Sequence, residues 1–502
     1  MRAARTSRPV GVALALAVAL AATAFFLDEL RPSPTVLGLL GACVVISALA
    51  WNVRWVRMPL TTPSSLYLLA LAAFHLGLIV PCAAGLSEPP LWLASVPEPV
   101  LAGALLCVLI AFLCLELGFL AGWRHLARRP AAPVFVARPR RTSSTLHSGG
   151  LFVSAAALAL TLLNIATIGV DRFLEASYGY ELYASTDSRL LQTGLFLLLP
   201  AGSVIALAGA RAGRETVTAL AAVGGATLAL LWAGDRGGAL SLDAAAVVIW
   251  TGTRGPLPRR LVALGSLAVL LLVPVVGALR QAPRNGISVS AVYEAASGAS
   301  PLSALTEMGG SLRPLVETLR LVPSDVPHRY GRSYLSAAAR LLPNLGLSRA
   351  ENQWTDPASL PPNSWITYTV APWSFASFGG LGFSAVAEPY LNFGVAGVLA
   401  YFLALGVALG RLDLALARGL SRRKLAIAAV VFMPLLITVR NDFHGFVRPA
   451  VWSACLVLLI EQVHGAHSAR AARRAVRPVS RPVHAKATQR REERLVPAPQ
   501  ES

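Results

Sequence analysis

Lysine is almost missing from this chain: Lys424 and Lys486 are the only lysines among 44 basic residues. Charge of either sign is scarce too, at 14% of 502 residues against 55% hydrophobic, with a mean hydropathy of +0.60. A soluble chain has about a quarter of its residues charged, so a water-soluble globule is excluded. The five cysteines (Cys43, Cys82, Cys107, Cys114 and Cys455) lie in or beside apolar runs, with no CxxC pair and no histidine at metal spacing. That excludes a disulfide framework and a zinc site and leaves small core hydrophobes. No DxD, GxxxxGK[ST] or HExxH motif occurs, so a metal-held nucleotide sugar, a P-loop and a zincin are all excluded. The reading is of a protein with no metal and no cofactor.

Apolar runs are what the chain has instead. They recur from Val10 onward, each close to the roughly 20 residues that cross a bilayer. The fold expected is all-α: a polytopic integral membrane protein with about twelve transmembrane helices and one large outer loop. Residues 1–9 form a short N-terminus, and 10–279 hold nine spans with a basic loop at 124–149. Residues 280–389 form the large outer loop, 390–462 three more spans, and 463–502 a basic tail. The first run, Val10–Leu27, follows three arginines but lacks a clear cleavage site, so it reads as a retained helix. The stretches 124–149 and 464–502 are expected to be disordered near anionic lipid. Within the outer loop one amphipathic helix is expected, Ser333–Leu342, stopped by Pro343.

The net charge of +19 and the pI of about 10.8 suggest nucleic acid, but the basic residues are divided among many short loops, so none is expected. They set topology instead. With the N-terminus inside, thirty basic residues fall in inner segments and six in the short outer connections. Both termini are therefore expected in the cytoplasm, across the cytoplasmic membrane.

Given that topology, several polar groups sit where they are costly. Arg236 in GDRGG, Arg280 at the end of the ninth run and Arg440 in VRNDFHGFVRPAVW each lie at the outer end of an apolar run. At one level they could converge on a single anionic group; the bland alternative is snorkelling or binding to lipid phosphate. Asp235 pairing with Arg236, and Asp442 with Arg440 or Arg448, is the other structural reading. Glu388 lies between GLGFSAVA and PYLNFG, apolar surroundings of the kind that tune a carboxylate for general-base work. Its alternative is an interfacial ion pair. His444 and Asp442 are the other base candidates. Glu116 and Asp243 fall inside runs and are expected to bond between helices. Trp354, Trp365, Trp373, Phe375 and Phe378 suit sugar faces or a membrane-interface belt.

The runs HRYGRSYLSAAARLLPN, GGLGFSAVAEPYLNFGVAGVL, GDRGG and VRNDFHGFVRPAVW resemble the Wzy-type O-antigen polymerases, the oligosaccharide repeat unit polymerases. The resemblance rests on Tyr330, Gly331, Tyr334 and Pro343, on Gly380, Glu388, Tyr390, Asn392, Phe393 and Gly394, and on Arg440; it covers roughly 190–452. It implies a glycosyltransferase that joins polyprenyl-pyrophosphate-linked oligosaccharides on the outer face of the cytoplasmic membrane. Glu388, Asp442 and His444 are its catalytic candidates. Arg236, Arg280, Arg332, Arg440, Arg448, Tyr334, Tyr390 and Asn392 are candidates for holding pyrophosphate or glycan. A chain-length regulator and a flippase are the partners implied. An O-antigen ligase would use the same clamp. A transporter of lipid-linked glycans is the rival of another class, although no internal repeat supports it.

Overall fold

The computed structural model describes residues 2–127, 144–171, 192–279, 300–341, 359–376 and 379–475, together with Ser290, Tyr293 and Ser297. Among these every regular element is a helix and there is no strand. The chain forms two compact units, Met1–Glu461 and Gln462–Ser502. The order in the first is α1 (Arg2–Phe26), α2 (Pro34–Trp51), α3 (Pro63–Leu76), α4 (Glu98–Ala127), α5 (Ser144–Ile168), α6 (Leu199–Gly209), α7 (Arg214–Trp232), α8 (Arg236–Arg254) and α9 (Arg259–Leu279). Next come α10 (Pro301–Gly309), α11 (Leu312–Leu321), α12 (Arg332–Ala339) and α13 (Pro362–Val370), then α14 (Ala387–Arg418) and α15 (Arg422–Ile437). The last helix, α16, begins at His444 in this unit and runs to Ala475 in the second.

Among the described residues six helical stretches are long and apolar enough to cross a membrane: Pro34–Val56, Glu98–Trp123, Thr145–Ile168, Arg214–Trp232, Ala387–Arg418 and His444–Val463. Val10–Phe26, Pro63–Leu76 and Thr193–Gly209 are shorter apolar helices. The stretch on α4 is 83% buried within the protein, against 39% or less for the other five, so α4 is the axis of the unit.

Four glycines explain how α14 reaches that axis. Gly118 and Gly122 on α4 face Gly406 and Gly410 on α14. A Cβ at Gly406 would lie 2.1 Å from the Leu115 carbonyl oxygen, and one at Gly410 2.6 Å from that of Phe119. In the other direction a Cβ at Gly118 would lie 2.2 Å from Leu403 O, and at Gly122 2.4 Å from Val407 O. Backbone therefore touches backbone, the close crossing that small residues four apart permit where no hydrophobic effect drives helices together. Register increases on both helices together, so they run in the same direction. Polar side chains add to such contacts: Thr227 donates to Asp243 at 2.7 Å between α7 and α8, and Asn52 bonds Glu116. The Ser64 hydroxyl donates to Asp413 between α3 and α14.

Three expectations need revision. The span expected from Tyr390 begins earlier, at Ala387, and is broken at Phe393 and Gly394, where Gly394 has φ of 62°. A positive φ cannot continue an α-helix, and glycine alone takes it without strain. The stretch expected to be disordered from residue 124 stays helical to Ala127 and is helical again from Ser144, while 128–143 lie outside the described residues. Of the tail, α16 occupies the part to Ala475, and the rest lies outside the described residues. Of 280–389, residues 280–289, 291–292, 294–296, 298–299, 342–358 and 377–378 lie outside them. The described part holds α10 to α13 and the short helix Pro372–Ala376, where only one helix was expected. The signal for α10 was in the sequence. Ser300 accepts from Ser303 N and Ser303 accepts from Ser300 N, with Pro301 at the first helical position.

The crossing makes a sharp demand. Gly406→Ala should destabilise the protein by about 1–3 kcal/mol, as overpacking does. Gly224→Ala is the matched control, since nothing lies within 4 Å of a Cβ there. Thermal unfolding in detergent should separate the two, and equal melting temperatures would refute the crossing.

Candidate active site

The break in α14 isolates a short helical turn, Ala387–Asn392, and this turn carries the site. Ser384 starts it: its hydroxyl oxygen accepts from Val386 N at 3.0 Å and Ala387 N at 3.2 Å, and its carbonyl accepts from Glu388 N at 3.0 Å. The hydroxyl proton goes to His75 on α3, whose Nε2 lies 2.7 Å away. His75 Nδ1 lies 2.9 Å from the Leu71 carbonyl, which can only accept, so Nδ1 carries the proton and Nε2 is bare. The pair resembles a nucleophile and its base, but both residues are fully buried. The Ser384 oxygen is also already committed to two N–H groups, so it is a helix start and not a nucleophile.

Glu388 is 4% exposed, yet both carboxylate oxygens are met by donors. Oε1 accepts from the Ser333 hydroxyl of α12 at 2.7 Å and Oε2 from Phe443 N at 2.7 Å. Asn392, one turn on, binds the same strap of chain. Its Nδ2 donates to Ser333 Oγ and to Glu388 O, each at 2.8 Å, and its Oδ1 accepts from Gly331 N at 2.9 Å. The strap is completed by Arg329 N on Leu391 O and Tyr330 N on Asn392 O, both 3.0 Å. Beside the carboxylate is a small cavity lined by Tyr334, Ala385, Pro389, Tyr401, Thr438, Asn441 and Phe443. Burial, then the nearby Glu388 charge, pushes the Tyr334 phenol well above its ordinary range. It therefore stays a hydrogen-bond donor at any working pH.

VRNDFHGFVRPAVW wraps this turn. Arg440 O accepts from Phe383 N at 3.0 Å, and at Gly382, where φ is 72°, a Cβ would lie 2.7 Å from that same oxygen. The Arg440 guanidinium lies 5.7 Å from the Phe74 ring centroid. Asp442 is buried, which pushes its carboxyl above the ordinary range; the N–H groups of Asn363, Gly445 and His444 and the Arg340 charge oppose that. The bonds from Gly445 and His444 make Asp442 the cap of α16, and Asn363 N at the start of α13 donates to the same carboxylate at 3.1 Å. His444 Nε2 lies 2.9 Å from the Ser336 hydroxyl, and Arg448 Nε donates to Arg340 O at 2.9 Å while facing the Trp452 ring.

Glu388, Asn392, Tyr334, Asp442 and His444 are thus brought together, with Arg440 at the start of the loop before α16 and Arg448 in the first turns of that helix. The ion pair of Arg236 lies elsewhere, whereas Tyr390 stands on the Glu388 turn itself and meets His328 of the strap edge-on, with ring centroids 5.9 Å apart. Arg236 pairs with Glu307 of α10 at 2.6 Å, and Asp235 caps α8 through Gly238 N at 2.8 Å. The Tyr390 hydroxyl donates to Val322 O at 3.4 Å, and Arg332 is exposed at the start of α12. Arg280, Pro343, Trp354 and Phe378 lie outside the described residues. Two residues went unnoticed in sequence. Ser333 is one. The other is Arg329, which is buried, donates to Leu360 O at 2.8 Å, lies 5.1 Å from the Trp365 ring centroid and acts electrostatically on Glu388. The stretch around it, SDVPHRYGRS, is largely polar, so nothing local set this arginine apart.

Asn392→Asp tests the strap. It removes two donations from a side chain that is fully buried and sets a carboxylate beside Ser333, Glu388 and Gly331. Each buried polar group left unsatisfied costs about 1–3 kcal/mol, and more when charged, so the melting temperature in detergent should fall clearly. An unchanged value would mean that these bonds do not hold the turn.

No curated protein and no solved structure matches the chain. Residues 257–464, from before α9 into α16, hold the whole strap, the Glu388 turn and the loop after α15, and it is the family model of O-antigen polysaccharide polymerase Wzy that they match.

Proposed function

We propose that this protein polymerises polyprenyl-pyrophosphate-linked oligosaccharide repeat units on the outer face of the cytoplasmic membrane. The observation that carries the reading is Glu388, a buried carboxylate with both oxygens accepting, beside a cavity and within the segment that matches the polymerase family. In the reaction a hydroxyl of the acceptor repeat unit loses its proton to Glu388. Its oxygen then bonds to the anomeric carbon of the donor glycan. The bond from that carbon to the pyrophosphate oxygen breaks, and polyprenyl pyrophosphate leaves with the electron pair. A base for the hydroxyl and cations for the leaving group are the two needs of such a step. Arg440 and Arg448 serve the second need, because guanidinium forks bind phosphate in pairs of hydrogen bonds and stay charged at every relevant pH. Of the three candidates Glu388 is the one that lines the cavity, while Asp442 caps α16 and His444 Nε2 lies against the Ser336 hydroxyl, so Glu388 is the base in this reading. With guanidinium groups holding the charge, turnover should survive excess chelator.

The arrangement in the membrane follows from the same reading. Twelve crossings with both termini inside would bring 280–389, and with it the site, to the outer face. The helices α8, α9 and α15 supply the remaining three crossings in this reading. In a chain freed of its native cysteines, a cysteine at position 300 should react with an impermeant thiol reagent in intact cells, and one at 480 should not. The opposite pattern would put the site on the wrong side for this chemistry.

Purified protein given lipid-linked repeat units in detergent should make longer glycans without any sealed membrane. A transporter would make none, and a ligase would need a different acceptor. In that assay well-folded Glu388→Gln, which keeps the shape but takes no proton, should lose nearly all turnover. Arg440→Lys keeps the charge and loses the fork. A charge-assisted hydrogen bond is worth about 1.5–3 kcal/mol, which corresponds to roughly a ten- to hundredfold slower rate. Full activity in the lysine variant would remove Arg440 from the site and leave it as a snorkelling side chain.

A further inference from the structure

The strap that holds Glu388 contains a residue that suits its backbone poorly. Arg332 N donates to Arg329 O at 2.9 Å, closing a tight turn whose two central residues, Tyr330 and Gly331, have φ of 46° and 85°. Two positive φ values in sequence define the type I′ turn, where Asn-Gly is the favoured pair. Glycine at the second position is as expected. Tyrosine at the first is not, because an L-residue with a bulky side chain is strained there. Nor does the fold need this side chain. Tyr330 is 73% exposed, and among the described residues its ring meets another only in an edge-on approach to His328 at 6.3 Å. Strain kept for a side chain that packs against almost nothing points to use of the ring itself.

The surroundings indicate that use. The strap is the element that fixes Ser333 on Glu388, three residues away. A second exposed ring, Phe393 at 47%, stands at the break in α14, against Gly331. Two rings flanking one turn, with the His328 imidazole beside both Tyr330 and the break, form an aromatic ledge at the edge of the candidate site. Aromatic faces with a polar handle suit the C–H faces and hydroxyls of pyranose rings. A membrane anchor would not require a strained backbone, since anchoring rings serve equally well from ordinary helix ends. Resting on the polymerase reading, we infer that Tyr330, with Phe393, is a saccharide-binding platform that holds a sugar of the lipid-linked repeat unit next to Glu388.

Strain allows a test in which stability and binding move in opposite directions. Tyr330→Asn restores the favoured turn pair and Tyr330→Gly removes the steric conflict, so both should melt no lower than the wild type. Both should nevertheless bind saccharide more weakly, whereas Tyr330→Trp should retain binding. The probe is the repeat-unit oligosaccharide released by mild acid from the lipid-linked pool of the host cells. Binding to the full-length protein in detergent is read by calorimetry, and KM for the lipid-linked substrate is read separately. An aromatic contact of this kind is worth roughly a two- to tenfold change in affinity. Wild-type affinity and KM in Tyr330→Asn would overturn the platform, as would a lower kcat at unchanged KM, which would mean the ring only positions the strap. Binding does not depend on turnover. A wild-type protein that binds the sugar in a Tyr330-dependent way but never lengthens it would defeat the polymerase reading and leave the platform standing.

Discussion

The backbone contact between α4 and α14 is the constraint on which the rest is built. Gly118 and Gly122 against Gly406 and Gly410 fix both the distance and the register of the two helices. In a membrane there is little hydrophobic gain from bringing helices together, so direct van der Waals contact and polar bonds must do it. Because α4 is the buried axis, the part of α14 below the break at Phe393 and Gly394 inherits a fixed position along it. The same device recurs where other pairs meet. A Cβ at Gly150 would lie 2.3 Å from Ala206 N, and one at Gly309 2.0 Å from Leu78 N. The second of these seats the loop helix α10 on the end of α3, so the polar layer is fastened to the apolar one by the same kind of contact.

Above that crossing the interactions change character. The Glu388 turn is held mainly by directional bonds from three separate pieces of chain: the strap before α12, the loop before α16 and the end of α3. Each piece supplies a group the turn cannot supply itself. Ser333 and Phe443 give donors to the carboxylate, Gly331 gives an N–H to Asn392, and His75 gives an acceptor to Ser384. Such networks are stable only when every member is satisfied. Here the donors and acceptors match by type, including the tautomer of His75.

The class of fold was legible from hydropathy alone, since apolar runs of this length admit few structures other than helices. Glu388, Asn392 and the loop after α15 were legible as well, because polar groups stand out in apolar surroundings. What could not be read were the partners. Ser333 and Arg329 lie more than fifty residues from Glu388, and His75 lies more than three hundred from Ser384. No local pattern announces such pairs. Arg236 shows the converse. Its position at the end of a run pointed to an anion, which is correct chemistry, but the anion it meets is Glu307 on the neighbouring α10. The break at Gly394 was hidden because one glycine in an apolar run is equally compatible with an unbroken helix.

That break has a mechanical consequence. A bilayer that thickens or thins tilts the helices spanning it, and a rigid α14 would carry Glu388 along with every such change. With Phe393 and Gly394 out of helical geometry, the turn above them is not part of that lever. Its bonds run sideways, to the strap and to the loop before α16, so the carboxylate takes its bearings from the polar layer rather than from the lipid. One geometry of this turn can then persist in membranes of differing thickness.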